Sequence, residues 1–227
     1  MSIILQTGGA GGGGGGGGGI ELLSQYLSTN ANTASLTITF AASGNIGDPD
    51  AGDFLLLFAF TPANSGEDIA VPSGWTEEFV HVHNGGYYHV FSLVAAGTET
   101  SVLLDGASTE YAYSLYRFTG VDQTTPIDAT ITESGTGATK TPTGIGITTA
   151  TDGAFVVAAD GGRHTWSSPT LTNTGWNWKA GVRANAAIIS GCVKQATAGA
   201  SEVPTFSVSN PAEAVHQQIT VAIRPAS

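Results

Sequence analysis

The sequence predicts an all-β fold: a jelly-roll-like double-sheet sandwich built from two similar halves, led by an extended Gly-rich N-terminal arm. Three observations predict it. From Ser35 onward, apolar residues alternate with polar ones or form blocks of strand length. A weak internal repeat returns about 101 residues later. Only 11% of the 227 residues are charged, while 32 are glycine, which suits short strands and tight turns better than a helical bundle. With 41% hydrophobic residues, a chain of this length can bury a sizeable core as one large domain.

Residues 1–34 read as the arm and a short connecting segment. "MSIILQT" carries Ile3, Ile4 and Leu5, and nine consecutive glycines follow from Gly11 through Gly15 to Gly19. Fixing a backbone costs about 1–2 kcal/mol per residue and glycine sits at the expensive end, so ordering this run costs on the order of 10 kcal/mol. The run therefore gains order only by touching neighbours. As a coil nine glycines reach roughly 15–18 Å, and as an extended three-fold helix about 28 Å. The next segment, "IELLSQYLS", places Ile20, Leu23 and Leu27 at helical spacing, which predicts one or two helical turns ending at "TNANT".

Residues 35–227 read as the sandwich, with halves at about 35–130 and 131–227. "SLTITFA" alternates Leu36, Ile38 and Phe40 with threonines. "DFLLLFAF" (53–60) and "GAFVVAA" (153–159) are continuous apolar runs, as expected of strands covered on both faces. "AVHQQITVAIR" (214–224) alternates and predicts a strand with one wet face. The repeat aligns "GDFLLLFAF", "PSGWTEEFV", "YYHVFSLVAAGTETSVLL" and "YAYSLYRFTG" with "GAFVVAAD", "TNTGWNWKAGV", "AAIISGCVKQATAGASEVPTFSV" and "HQQITVAIRP". Trp75 and Trp176 hold matching positions, which predicts a packing role for both. Each half closes on a strand carrying an arginine, Arg117 or Arg224. Two such halves predict a double sheet with few exposed edges.

The set "GDFLLLFAF", "PSGWTEEF", "VAAGTETS" and "YRFTGVDQTTPID" resembles small β-sandwich proteins of tailed bacteriophages. The resemblance covers about residues 35–130, with a fainter echo to 225. Thr119 is inserted before Gly120, and the second half lacks the Gly-Val-Asp signature. Such modules occur in head-decoration proteins, tail fibres and bacterial surface proteins, so the resemblance implies a virion or surface role.

Seven Lys and Arg against eighteen Asp and Glu give a net charge of −11, which repels phosphate backbones and anionic lipid. Nucleic acid is not an expected partner. The leading residues lack a basic n-region, and no apolar run approaches the ~18 residues of a membrane span. Synthesis in a host cytoplasm and residence in the virion follow as expectations. Cys192, the single cysteine, lies in the apolar run "AAIISGCV" and reads as a buried, inert thiol.

Candidate chemistry is sparse. Asp48, Asp50 and Asp53 in "GDPDAGD" are hard oxygen ligands that can hold Ca²⁺; the same residues also fit an Asp-Pro/Gly turn that launches the next strand. No other cofactor is expected. His81 and His83 share a strand face, and His89 follows an expected Asn-Gly-Gly turn, an arrangement suited to a transition metal or to an oligomer axis. Trp166 and Trp178, with Arg163 and His164, can form an aromatic platform for a sugar ring, or Trp178 can be partly covered on an amphipathic strand. Glu77 and Glu78 are adjacent, so in a strand they face opposite ways and do not form a carboxylate pair. Neither a GxSxG elbow nor an HExxH pair is present.

The expected function is structural and non-enzymatic: a capsid decoration or cement protein, most readily a homotrimer. Its arm would dock to the capsid, to other virion proteins or to sister subunits through Ile3, Ile4, Leu5 and the glycines. The alternative is a tail-fibre or surface adhesin that binds host glycan.

Overall fold

Every residue from Phe54 to Phe60 is buried, so this run has to be covered on both faces. The computed structural model describes residues 19–31, 35–42, 44–61, 68–83, 86–106, 110–136, 141–163, 169–182, 187–201, 203–208 and 215–227. Within them the first half forms β1 (Glu21–Ala31), β2 (Ser35–Thr39), β3 (Phe54–Thr61), β4 (Thr76–His83), β5 (Gly86–Val94), β6 (Ser101–Asp105) and β7 (Glu110–Thr119). The second half forms β8 (Thr132–Thr136), β9 (Thr148–Thr149), β10 (Phe155–Arg163), β11 (Thr170–Leu171), β12 (Asn177–Val182), β13 (Ala187–Lys194), β14 (Gly199–Ala200), β15 (Phe206–Ser207) and β16 (Val215–Ile223). No helix occurs among the described residues, and the fold is an all-β sandwich.

Each half supplies one large sheet, and the two sheets repeat one topology. The first has the order β1-β7-β3-β5-β4, the second β8-β16-β10-β13-β12, antiparallel throughout. The pairs β2–β6 and β9–β14 hold matching places beside them. Trp75 and Trp176 are both buried, each just after a glycine with φ of 84°. The arginines match less closely. Arg117 lies opposite Leu55, whereas Ala222 lies opposite the equivalent Val156, so Arg224 falls two residues further on.

The sheets pack face to face through one central core. Phe54, Leu56, Phe58, Phe60, Tyr116 and Phe118 of the first sheet meet Val157, Ala159, Ile188, Val221 and Ile223 of the second. Because strand side chains alternate, Leu55, Leu57, Phe91 and Leu115 point the other way, onto Ile38, Val102 and Leu104 of the β2–β6 layer. Likewise Val156, Ala158 and Ile189 meet Ile147, Leu171 and Phe206 on the outer side of the second sheet. Each fully buried large side chain contributes about 1.5–3 kcal/mol. Close approach of the sheets needs a small residue at Gly161, where a Cβ would stand 3.0 Å from the Tyr88 ring.

The halves pack reciprocally, as in an isologous dimer fused into one chain. At one edge β1 lies beside β12, where Lys179 Nζ donates to the Gln25 carbonyl. At the opposite edge β4 lies beside β8, where His81 Nδ1 is 3.8 Å from Glu133 Oε1. The segment "GVDQTTPID" links the halves and pairs with the last strand: Asp128 N donates to Ala222 O at 2.8 Å and Arg224 N to Pro126 O at 2.8 Å.

Two expectations are corrected. Residues 20–28 form no helical turns; from Glu21 they belong to β1, paired with β7 from Glu21↔Thr119 to Ala31↔Glu110. The edge of β7 offers a ladder of backbone partners, which outweighs a short apolar period. A bulge between Leu22 and Ser24 leaves Leu23 46% exposed, so the spacing of Ile20, Leu23 and Leu27 marks no common face. The expected wet face of the last strand is also dry: His216, Gln218 and Thr220 are buried beside the outer core that contains Leu171 and Phe206.

Two glycine turns give a test of the packing. Gly74 has φ of 84° with nothing within 4 Å of an added Cβ, whereas at Gly97, φ 82°, that atom would stand 2.8 Å from Ala51 N. Gly74→Ala is expected to cost about 1–2 kcal/mol from the left-handed backbone alone. Gly97→Ala is expected to cost about 3 kcal/mol, since overpacking adds to the strain. Urea unfolding of both variants measures the difference.

Candidate functional site

The aspartate loop sits where the chain enters β3, and the cation it holds is Arg117. Arg117 Nε donates to Asp53 Oδ2 at 2.6 Å, Nη2 to Asp50 Oδ2 at 2.8 Å and Nη1 to the Asp48 carbonyl at 2.7 Å. Asp53 also accepts the Asp50 N–H at 2.9 Å, and its own carbonyl accepts Ala95 N at 2.8 Å. Asp48 thus offers its backbone oxygen to the arginine, and the guanidinium occupies the centre expected for Ca²⁺. Among the described residues no group of three or more His, Cys, Asp or Glu side chains is arranged to hold a metal.

The histidines do not converge. The hairpin pairs His83 with Gly86, so His81 lies opposite Tyr88 and His89 opposite Val80. His81 and His89 consequently project from opposite faces of the first sheet. Only the backbone of His83 lies within the description. His89 is fully enclosed: Nδ1 lies 2.9 Å from Glu77 Oε1 and Nε2 2.9 Å from Asp68 Oδ1, with its ring parallel to Phe91 at 5.1 Å. It ties the segment leading to Trp75 onto the sheet. Glu78 turns instead to Ser92, whose Oγ donates to it at 2.5 Å, so the adjacent glutamates serve different partners.

Of the proposed sugar platform, Trp178 stands on β12 and is 38% exposed, the largest exposed ring among the described residues. Its backbone pairs with Gly191, where a Cβ would stand 2.9 Å from the Trp178 Cβ. Arg163 ends β10, with only its backbone described, and His164 and Trp166 lie outside the described residues. So do Ile3, Ile4, Leu5, Gly11 and Gly15 of the arm, while Gly19 is the first residue described and is exposed.

Two buried polar clusters were not foreseen. On the outer face of the second sheet Asp160 Oδ2 is 3.0 Å from His216 Nδ1, and Gln218 Nε2 donates to Asp160 Oδ1 at 2.6 Å. Burial raises the Asp160 carboxyl above its ordinary value, against the pull of His216 and Gln218. A carboxylate that orients an imidazole is half of a general-base arrangement, but this pair is fully enclosed. Between the sheets, Gln25 Nε2 donates to Tyr116 OH at 2.7 Å, and Ser190 Oγ lies 2.5 Å from both Tyr116 OH and Ser114 Oγ. Cys192, 1% exposed, has its thiol pushed up to about 12 by burial and is inert.

Space for a ligand is unevenly distributed. Near Phe60, Tyr88 and Gly161 the sheets leave a void of only about 10 Å³, no larger than one water requires. An open groove of about 430 Å³ lies where the arm joins the body. Ile20, Leu22, Phe155 and Val193 line it, with exposed Glu21, Asn177 and Lys194 at the rim. Lys194 Nζ donates to the Ile20 carbonyl at 3.1 Å and fixes the chain at the groove mouth.

Comparisons with known proteins assign nothing further: no family model matches the chain, and no curated protein or solved structure is significantly similar to it.

The turn between the halves yields a pH test. Burial raises the Asp128 carboxyl, but hydrogen bonds from Thr151 Oγ1, Ala150 N, Arg224 and Thr151 N outweigh this and hold it below its ordinary value. A carboxyl lowered in the folded state stabilises at pH values above its unfolded pKa of about 3.9, and that contribution disappears as pH falls through the lower folded value. Asp128→Asn is expected to cost about 1.5–3 kcal/mol at pH 7 and to flatten the acid limb of stability. Urea midpoints measured from pH 7 down to pH 2 check both effects.

Proposed function

We propose that the protein is a structural component of a phage virion, a capsid decoration or cement protein anchored through its N-terminal arm. One observation carries the reading: the body is polarised. The arm joins at Gly19, at the end of the sandwich where β3, β4, β10 and β12 begin and β7, β13 and β16 finish. That end holds the groove and the tight turns at Gly74 and Gly97. The opposite end carries the hairpin connections β4–β5 and β12–β13 and lies away from Gly19.

Such a body attaches by one end and displays the other. The filled space between the sheets and the enclosure of Asp160, His216 and His89 support a scaffold rather than a catalyst. Capsid proteins, other virion proteins and sister copies, most simply in a homotrimer, are the partners this reading names. Deleting residues 1–19 is expected to leave the thermal midpoint unchanged and to abolish incorporation into particles, scored by quantifying the protein on purified virions. Normal incorporation of the truncated protein rejects the reading.

Exposed Trp178 favours a second reading, a tail-fibre or surface adhesin that stacks a host sugar on this ring together with Trp166, Arg163 and His164. Glycan-array binding that is lost in Trp178→Ala at an unchanged thermal midpoint supports it, and binding that survives the substitution removes it.

A further inference from the structure

The groove beside Ile20 lies where the arm joins the body, and its position relates it to the arm. Its lining is apolar, through Ile20, half-buried Leu22, Phe155 and Val193, while its rim is polar. The chain ahead of Gly19 contains one apolar cluster, Ile3, Ile4 and Leu5, separated from the groove by Gln6 to Gly18. In an extended stretch Ile3 and Leu5 share one face and Ile4 takes the other, and a groove of about 430 Å³, within the usual size of binding clefts, has room for the Ile3 and Leu5 side chains.

We infer that the groove receives Ile3 and Leu5 from a second copy of this chain, so that the glycine run bridges neighbouring bodies. This deepens the assembly reading above and rests on it. The length of the spacer argues for exchange between copies. Folding back onto the same groove requires only a tight turn of a few residues. Thirteen residues extend about 40 Å in a three-fold glycine helix, whereas a body of this size has a radius of gyration of about 17 Å. The spacer therefore reaches from one body to the groove of the next. Residues without side chains also let the bridge lie close against either surface.

The groove has a chemical reason to accept a chain rather than a small molecule. Gly19 leaves beside Lys194, where an added Cβ would stand 3.3 Å from Nζ, and Asn177 offers donor and acceptor atoms along the opposite rim. An extended segment can therefore place aliphatic side chains on the floor and direct its backbone groups to the rim.

A mixing experiment on the full-length protein tests the inference. One preparation carries Ile4→Cys and a second Glu21→Cys, at an exposed position on the groove rim; they are combined and oxidised with a glutathione disulfide buffer. Glu21 pairs with Thr119, and Cys192 is 1% exposed, so the rim thiol does not stand opposite Cys192 across a strand. An intermolecular disulfide is expected at a yield at least tenfold above that of a control pair in which Thr37→Cys, on the exposed side of β2, replaces Glu21→Cys. A yield equal to the control, or a disulfide that forms only within a chain carrying both substitutions, overturns the inference. The two readings fail separately. Loss of virion incorporation on deleting residues 1–19, without the cross-link, rejects the groove and keeps the virion role; the cross-link with normal incorporation does the reverse.

Discussion

Face-to-face packing of the two five-stranded sheets is the constraint from which the remaining structure follows. Once β3 and β10 lie at the centre of facing sheets, their inward residues are buried against each other and their outward residues need a second cover. The short strands β2, β6, β11 and β15 provide it, together with Ile147 just before β9. A charged group within these layers needs a partner, because an unpaired charge loses its hydration without compensation. Arg117 with Asp53, Arg224 with Asp128, His89 between Glu77 and Asp68, and Asp160 with His216 all answer this requirement.

The reciprocal packing of the halves also explains where polar residues enter the central core. Tyr116, Ser114 and Ser190 meet near the β1–β12 edge, and Gln25 of β1 reaches in to them. Burial pushes the Tyr116 phenol well above its ordinary value, so it remains a neutral hydroxyl within the network. Near the other edge, Gln217 donates to Glu133. These groups give the stacked sheets a defined register, which apolar contact alone leaves loose.

The two ends of the scaffold are built differently. The end that carries the arm is built from tight turns and the groove at Ile20, a combination suited to docking. Trp178 lies on an edge strand of the second sheet. The space between the sheets is closed, so the groove at Ile20 is the larger opening of the two described.

How much of this was legible in the residues depends on the distance over which each signal acts. Strand character, the double covering of "DFLLLFAF" and "GAFVVAA", the repeat, and the burial of Trp75, Trp176 and Cys192 were all readable, because side-chain alternation and apolar runs are local consequences of the strand backbone. Register and pairing were not. The sequence placed Asp48, Asp50 and Asp53 on one loop, but only the pairing of β3 with β7 delivered Arg117 to them. It placed His81 and His89 on one hairpin, but the register sent them to opposite faces. It gave residues 20–28 a helical period, but the open edge of β7 made them a strand. In each case the deciding partner is remote along the chain, and no local pattern records which remote backbone will supply the hydrogen bond.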